Sequence, residues 1–161
     1  MADAVYESFD TREGFQAAVD RLLERPGREL RMFDPDGAGL RLNDVARLAR
    51  LEGFLRASRT RRLYLVLHEP QHLQRECPRM MGLLARYSHA IQINRTQEEI
   101  RELQDAFLVL DSIDYVRRPV AARLRGAIGL GDETEALAMR ARFDEIWAAS
   151  FPAVSSSTLG L

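Results

Sequence analysis

Hydrophobic residues along the chain follow two patterns in turn, helical spacing and short apolar runs. Helical spacing gives one apolar face to each of three segments: 15–23, 45–55 and 136–147. Strand patterns fall in four segments: 30–33, 63–67, 90–94 and 106–110. The turn-forming residues from Asp111 to Asp114 then predict an antiparallel return strand at Tyr115-Val116. This alternation of helices and strands predicts an α/β fold.

Capping residues predict where the helices begin. The signals are the pairs Asp10/Glu13, Thr96/Glu99 and Asp132/Glu135, either Asn43 or Asp44, and Pro78 in a first helical turn. The helix that starts at Thr96 is predicted to be short and to end at Leu103. The elements predict one domain over residues 1–154, with a mixed, mostly parallel sheet flanked by helices. The remaining residues, 155–161, form a C-terminal tail that we expect to dock through Leu159 and Leu161.

Composition narrows the possible chemistry. The 161 residues include 23 basic and 24 acidic side chains, and every basic one is arginine. The absence of lysine excludes a Schiff-base lysine and a Walker-type phosphate lysine within this sequence. Cys77 is the only cysteine, so no intramolecular disulfide forms. With an acidic N-terminus and no apolar stretch long enough for a bilayer, we expect a cytoplasmic protein without a membrane partner.

Two motifs resemble catalytic ones. The zinc-protease pattern of two histidines around a glutamate occurs at 68–72, but Pro70 interrupts the helix it requires, so we expect a strand-end loop and no metal. Asp34 and Asp36 follow a strand and resemble the first motif of haloacid-dehalogenase-type phosphatases. That resemblance implies a magnesium-dependent phosphatase as one alternative function, although the family's phosphate-binding lysine is missing.

Arginines also occur in pairs, at 61–62 and 117–118, and at 123 with 125. Guanidinium groups suit phosphate and carboxylate ligands. A second alternative is therefore a nucleic-acid-binding domain that uses clustered arginines, although the net charge of -1 does not favour it.

The order of elements, the strand ending in Asp111 and the final helix through 143–150 resemble one half of a phospholipase D-like fold. In that superfamily a strand carries a nucleophilic histidine, a phosphate-binding lysine two residues later and an aspartate five residues further on. Matching that aspartate to Asp111 places Gln104 at the histidine position and Ala106 at the lysine position. The resemblance therefore implies a pseudoenzyme, and it implies a homodimer because such halves commonly pair about a two-fold axis.

A second resemblance rests on four stretches: 30–37, 77–79, 105–119 and 159–161. They are similar to an uncharacterised bacterial domain, found in proteobacteria alone or fused to GNAT-type acetyltransferases. The fusion implies a protein partner of the acetyltransferase type and assigns no activity or cofactor to this chain.

Together these observations favour a non-catalytic phospholipase D-like binding or regulatory module. Open α/β sheets place ligands at the carboxyl ends of their strands. We therefore expect a binding groove there, without catalytic residues or cofactors, near seven side chains: Asp34, His68, Asn94, Arg95, Asp111, Arg117 and Arg118.

Overall fold

A mixed sheet of eight strands, with helices on both faces, organises the computed structural model, which describes residues 4–155. The elements follow one another as β1 (Val5–Phe9), α1 (Arg12–Leu23), β2 (Glu29–Asp34), α2 (Val45–Arg56), β3 (Arg62–Leu67), α3 (Gln71–Glu76), α4 (Pro78–Arg86), β4 (Ile91–Thr96), β5 (Ala106–Leu110), β6 (Asp114–Arg118), β7 (Gly126–Leu130), α5 (Glu133–Ala148) and β8 (Ser150–Val154). Two 3-10 turns, Ala38–Leu40 and Glu98–Ile100, lie between them.

The strand order across the sheet is β1-β7-β6-β5-β2-β3-β4-β8. Only β2–β3 and β3–β4 pair in parallel, and the other five pairings are antiparallel. The predicted α/β fold with a mixed sheet flanked by helices is confirmed, but the expectation of mostly parallel pairing is wrong. A parallel neighbour requires a crossover of a dozen or more residues. The connections from β5 to β6 and from β6 to β7 are too short for one and produce hairpins.

The two faces of the sheet bury separate hydrophobic clusters. On one face, alternate strand residues such as Leu30, Met32 and Val116 pack under α1, α2 and α4. On the other face, Phe33 and Phe107 pack under α5. Because neighbouring residues of a strand point to opposite faces, each strand end also divides its polar side chains between the two faces.

Two helix starts differ from the prediction. Thr11 caps α1, since its hydroxyl accepts the Gly14 N–H over 3.0 Å, so the capping residue is not Asp10. The helix predicted from Thr96 to Leu103 does not form. Thr96 is the last residue of β4 and is completely buried, because its hydroxyl pairs with a histidine ring. Asp44, Pro78 and Asp132 start helices as predicted.

Three strands, β1, β7 and β8, carry weak sequence signals. β1 is largely exposed, β7 contains Gly126 and Gly129, and β8 contains Pro152, which suits its place at the sheet edge. The predicted docking of Leu159 and Leu161 lies outside the described residues. Across residues 4–155, no helix combines the length and the apolar character needed to cross a membrane.

Candidate functional site

Four strands end on the same side of the sheet. β2, β3 and β4 are parallel, and β6 runs in the same direction as β2 because both are antiparallel to β5. Their last residues, and those immediately after, form what we call the carboxyl edge. Six of the seven predicted site residues lie at this edge: Asp34, His68, Asn94, Arg95, Arg117 and Arg118.

Asp111 does not join them, and its predicted place in the groove is wrong. It follows β5, which runs antiparallel to β2, so it lies at the opposite end of the sheet. There its carboxylate accepts the backbone N–H groups of Arg28 and Glu29 at 3.0 and 2.9 Å. Its φ of 54° places it in the left-handed region, which a short polar residue tolerates in a turn. Asp111 therefore joins β2 to the β5–β6 turn.

Arg117 and Arg118 are neighbours in sequence and point to opposite faces of the sheet. Arg117 lies 3.6 Å from Glu135 of α5, whereas the Arg118 guanidinium lies 4.2 Å from the centre of the Phe15 ring of α1. The pair therefore does not converge on one ligand.

A buried ion pair joins Asp34 to Arg118 at the carboxyl edge. Arg118 Nη2 lies 3.1 Å from Asp34 Oδ1, and the two residues are 7% and 2% exposed. The other carboxylate oxygen accepts the Gly37 N–H over 2.7 Å. Burial raises the pKa of the Asp34 carboxyl, an effect that the Gly37 N–H and then the Arg118 charge oppose.

The same contacts bear on the phosphatase alternative. Asp34 is buried with both carboxylate oxygens in hydrogen bonds, and Asp36 accepts the Ala38 N–H over 2.9 Å. Both side chains therefore organise the turn after β2. In the described part of the chain, no three His, Cys, Asp or Glu side chains gather as a possible metal site.

His68 follows β3 and faces α5. Its Nε2–H donates to the Leu103 carbonyl over 2.8 Å, and its Nδ1 lies 2.7 Å from the Thr96 hydroxyl. The residue precedes α3, whereas His72 lies within that helix, so the two histidines do not form the helical pair of a zinc site. His68 thus has both ring nitrogens engaged in structural hydrogen bonds.

Asn94 and Arg95 also make structural contacts. Asn94 is buried and donates to the Ser150 hydroxyl over 2.8 Å, which joins β4 to β8. Arg95 donates to the His68 carbonyl over 3.3 Å and lies 3.6 Å from Glu69. Both residues hold the edge together and leave little charge free for a ligand.

Arg117 borders a cavity of about 480 Å³ between β1, β6, β7 and α5. Its lining mixes Arg117 and Arg125 with two acidic residues, Asp132 and Glu135. Burial, followed by the charges of those two carboxylates, raises the pKa of Tyr115 there to about 12. The mixed charge makes this cavity less suited to an anion than one lined by cations alone.

Arg118 borders a second cavity, of about 410 Å³, which we call the arginine pocket. Its lining comes from α1, the turn after β2 and the loop after β6: Arg12, Phe15, Gln16, Ala38, Gly39, Arg41, Arg118 and Leu124. None of these residues is acidic. Gln16 donates to the Gly39 carbonyl over 2.8 Å and thereby fixes the turn against α1.

Arg118 is the one residue lining this pocket that the sequence marks as a site candidate. Arg12 and Arg41 lie in unrelated segments, and each alone resembles an ordinary surface arginine. Two local features could have drawn attention to them. Arg12 begins a helix, where the positive end of the helix dipole disfavours a cation, and Arg41 lies directly before the cap region of α2.

Comparison with solved structures confirms the predicted phospholipase D-like fold. Nuc, a phospholipase D family member from Salmonella typhimurium, is 12% identical with a TM-score of 0.70, over 95% of this chain and 100% of that one. NucT from Helicobacter pylori is 11% identical with a TM-score of 0.64, over 94% and 100%.

An archaeal chromatin protein with a novel mode of DNA binding, TrmBL2, is also similar in fold. It is 12% identical with a TM-score of 0.67 over 92% of this chain, which spans only 55% of that protein. Among curated proteins, none matches this sequence. A family model described as a domain of unknown function, DUF7931, matches residues 11–158. The chain therefore belongs to the DUF7931 family.

Proposed function

We propose that the domain is a non-catalytic binding module built on a phospholipase D-like fold. The observation that carries this proposal is which residues lie where the amino end of β5 reaches the carboxyl edge. Gln104 and Ala106 occupy the positions at which the resemblance expects a histidine and a lysine. Phe33 pairs with Phe107, and Ala106 pairs with Arg118, so the Asp34–Arg118 ion pair crosses β5 at Ala106.

Two other side chains that could act as nucleophiles, His68 and Cys77, are respectively hydrogen-bonded at both ring nitrogens and buried. His68 has both ring nitrogens in hydrogen bonds with Thr96 and Leu103. Cys77 is buried, and that burial, with a smaller contribution from the Glu76 charge, raises the pKa of its thiol. A raised pKa lowers the thiolate fraction, which is the reactive form. These side chains support binding over covalent phosphoryl transfer.

We expect no phosphodiester or phosphomonoester turnover above the buffer background, with or without Mg²⁺. The measurement is release of p-nitrophenol from bis-p-nitrophenyl phosphate and from p-nitrophenyl phosphate. Two variants, His68→Ala and Asp36→Asn, are assayed beside the wild type. Turnover that co-purifies with the folded protein and disappears in either variant would overturn the proposal.

We also propose the two partners that the family resemblance implies, a second copy of the chain and an acetyltransferase-type protein. A homodimer would give the module two copies of its binding surface related by a two-fold axis. A protein partner of the acetyltransferase type would use the module for targeting.

Nucleic acid is the second candidate ligand, because of the unpaired arginines around the arginine pocket. Arg123 directly precedes Leu124, which lines that pocket with Arg12 and Arg41, whereas Arg125 lines the other cavity. Among residues 4–155, none of Arg12, Arg41 and Arg123 has an acidic partner within ion-pair distance. The fold likeness to the DNA-binding protein TrmBL2 agrees with this candidate.

For this candidate, we expect a labelled single-stranded oligonucleotide to bind with strong salt dependence. Three phosphate contacts would give a slope of about -2 for log K against log salt, since each contact to a single strand contributes about -0.7. Fluorescence polarisation across a salt series measures the slope. The Arg12→Gln/Arg123→Gln variant should lower its magnitude by about 1.4, while Arg59→Gln, an exposed control, should not. No saturable binding at low salt would eliminate nucleic acid and leave the leading proposal intact.

A further inference from the structure

Three guanidinium groups border the arginine pocket without an acidic side chain among its lining residues. Two of them, Arg12 and Arg41, are exposed and have no ion-pair partner within residues 4–155. Burial lowers the pKa of the Arg47 guanidinium, and the nearby positive charge of Arg41 adds to that lowering. The pocket therefore holds two guanidinium charges, those of Arg12 and Arg41, that the described residues do not neutralise, beside the Asp34-paired Arg118.

Arg118 forms the floor of the pocket and is incompletely satisfied. Its Nη1 donates to the Ala121 carbonyl over 2.9 Å, and its Nη2 donates to Asp34. Its Nε–H is buried and has no hydrogen-bond partner among the described residues. Buried donors nearly always find an acceptor, so this guanidinium retains unused capacity beside a cavity.

The other two arginines occupy positions that local structure disfavours. Arg12 places a cation at the positive end of α1. Arg41 adopts a φ of 52°, in the left-handed region that residues other than glycine rarely occupy. Conflicts between a residue and its local structure are concentrated at functional sites, and here both conflicts border the same cavity as Arg118.

The rest of the lining indicates what else the ligand contains. Phe15 and Leu124 supply an apolar wall, and Leu124 is 38% exposed. The volume of about 410 Å³ falls within the range of small-molecule sites. A bare anion would leave that wall unused, whereas a phosphorylated molecule with an apolar or aromatic body would use both parts.

We infer that the arginine pocket binds a phosphoryl group carried on an apolar or aromatic body, with Arg12, Arg41 and Arg118 as the anion contacts. Forked guanidinium groups match phosphate oxygens in geometry and charge. This inference rests on the proposed function and deepens it, since it assigns a ligand class to the binding module. The same phosphoryl chemistry occurs in a free mononucleotide and at the 5′ end of a nucleic-acid strand.

Isothermal titration of the full chain with AMP, adenosine and inorganic phosphate tests the pocket directly. We expect AMP to bind more tightly than phosphate and adenosine to show no saturable binding. The Arg12→Gln/Arg41→Gln variant should lose about tenfold in affinity or more for each arginine. Arg59→Gln, at the other end of the sheet, should stay within about twofold of the wild type. Arg118 is left unchanged, since its replacement would leave the buried Asp34 carboxylate without its charged partner.

Two further probes, an oligonucleotide with a 5′ phosphate and the same strand without it, distinguish these two sources of the phosphoryl group. Tighter binding of the phosphorylated strand than of AMP indicates a strand end, and the reverse indicates a small molecule. Equal AMP affinity for wild type and Arg12→Gln/Arg41→Gln, or no AMP binding, would overturn the inference while leaving the non-catalytic proposal intact. Hydrolysis of AMP during the titration would instead contradict the non-catalytic proposal.

Discussion

Replacing Asp34 with alanine should lower the free energy of unfolding by about 3 to 5 kcal/mol, as measured by urea denaturation. The substitution leaves the Arg118 guanidinium buried without its carboxylate partner. It also removes the acceptor of the Gly37 N–H, whose hydrogen bond to Asp34 is 2.7 Å long. The Arg118 guanidinium and the Gly37 N–H both lie where water cannot replace the lost carboxylate. Each group left without its partner therefore costs nearly its full desolvation free energy.

Asp36→Ala is the matched control, because Asp36 lies in the same turn and is exposed. It accepts a single N–H, from Ala38, so its removal should cost about 1 kcal/mol. The double variant Asp34→Ala/Arg118→Met should lose less than the sum of the two single losses, since it removes both charges together. Equal losses for Asp34→Ala and Asp36→Ala would contradict the importance of the buried pair.

Gly126→Ala should lower the free energy of unfolding by about 3 kcal/mol, at the upper end of the range for overpacking. A Cβ at this position would lie 2.2 Å from the Arg117 carbonyl oxygen and 2.7 Å from the Phe9 ring. The first of these is backbone of the neighbouring strand β6, and β7 is held on its other side by β1. Relief of the clash therefore requires loss of strand pairing, which thermal and urea unfolding would both detect.

Gly53→Ala makes the same chemical change as Gly126→Ala, but we expect it to raise the free energy of unfolding. Gly53 lies within α2, and a Cβ there would meet no atom within 4 Å. Alanine in a helix interior is favoured over glycine by about 0.5 to 1 kcal/mol, so this variant should be more stable than the wild type. A loss of stability in Gly53→Ala, or none in Gly126→Ala, would contradict the packing described for these two glycines.

The strand ends could be predicted from the sequence more reliably than the direction of each strand. Asp34 and His68 follow continuous apolar runs, and parallel pairing of β2 with β3 brings both to the carboxyl edge. Asp111 follows an equally apolar run, but β5 lies antiparallel to β2. Burial on both faces produces the same apolar run in either direction, so the pattern alone could not exclude Asp111 from the groove.

The arginine pocket required tertiary information. The sequence marks Arg118 as half of the 117–118 arginine pair, and because the predicted strand covers only Tyr115-Val116, the alternation of strand side chains does not extend to that pair. Arg12 and Arg41 come to the pocket only because α1 and the turn after β2 pack against the end of β6. No local sequence pattern predicts that these three arginines line one pocket, since they belong to separate segments of the chain.

The positions of β1 and β8 have a consequence for joining this domain to other chains. These first and last strands form the two outer edges of the sheet, seven strand spacings apart, which corresponds to roughly 33 Å at about 4.8 Å per spacing. A direct connection between them would need about ten extended residues, so circular permutation through a short linker should strain the sheet. Proteins fused before β1 and after β8 would be held on opposite sides of the domain, which would then act as a spacer between them.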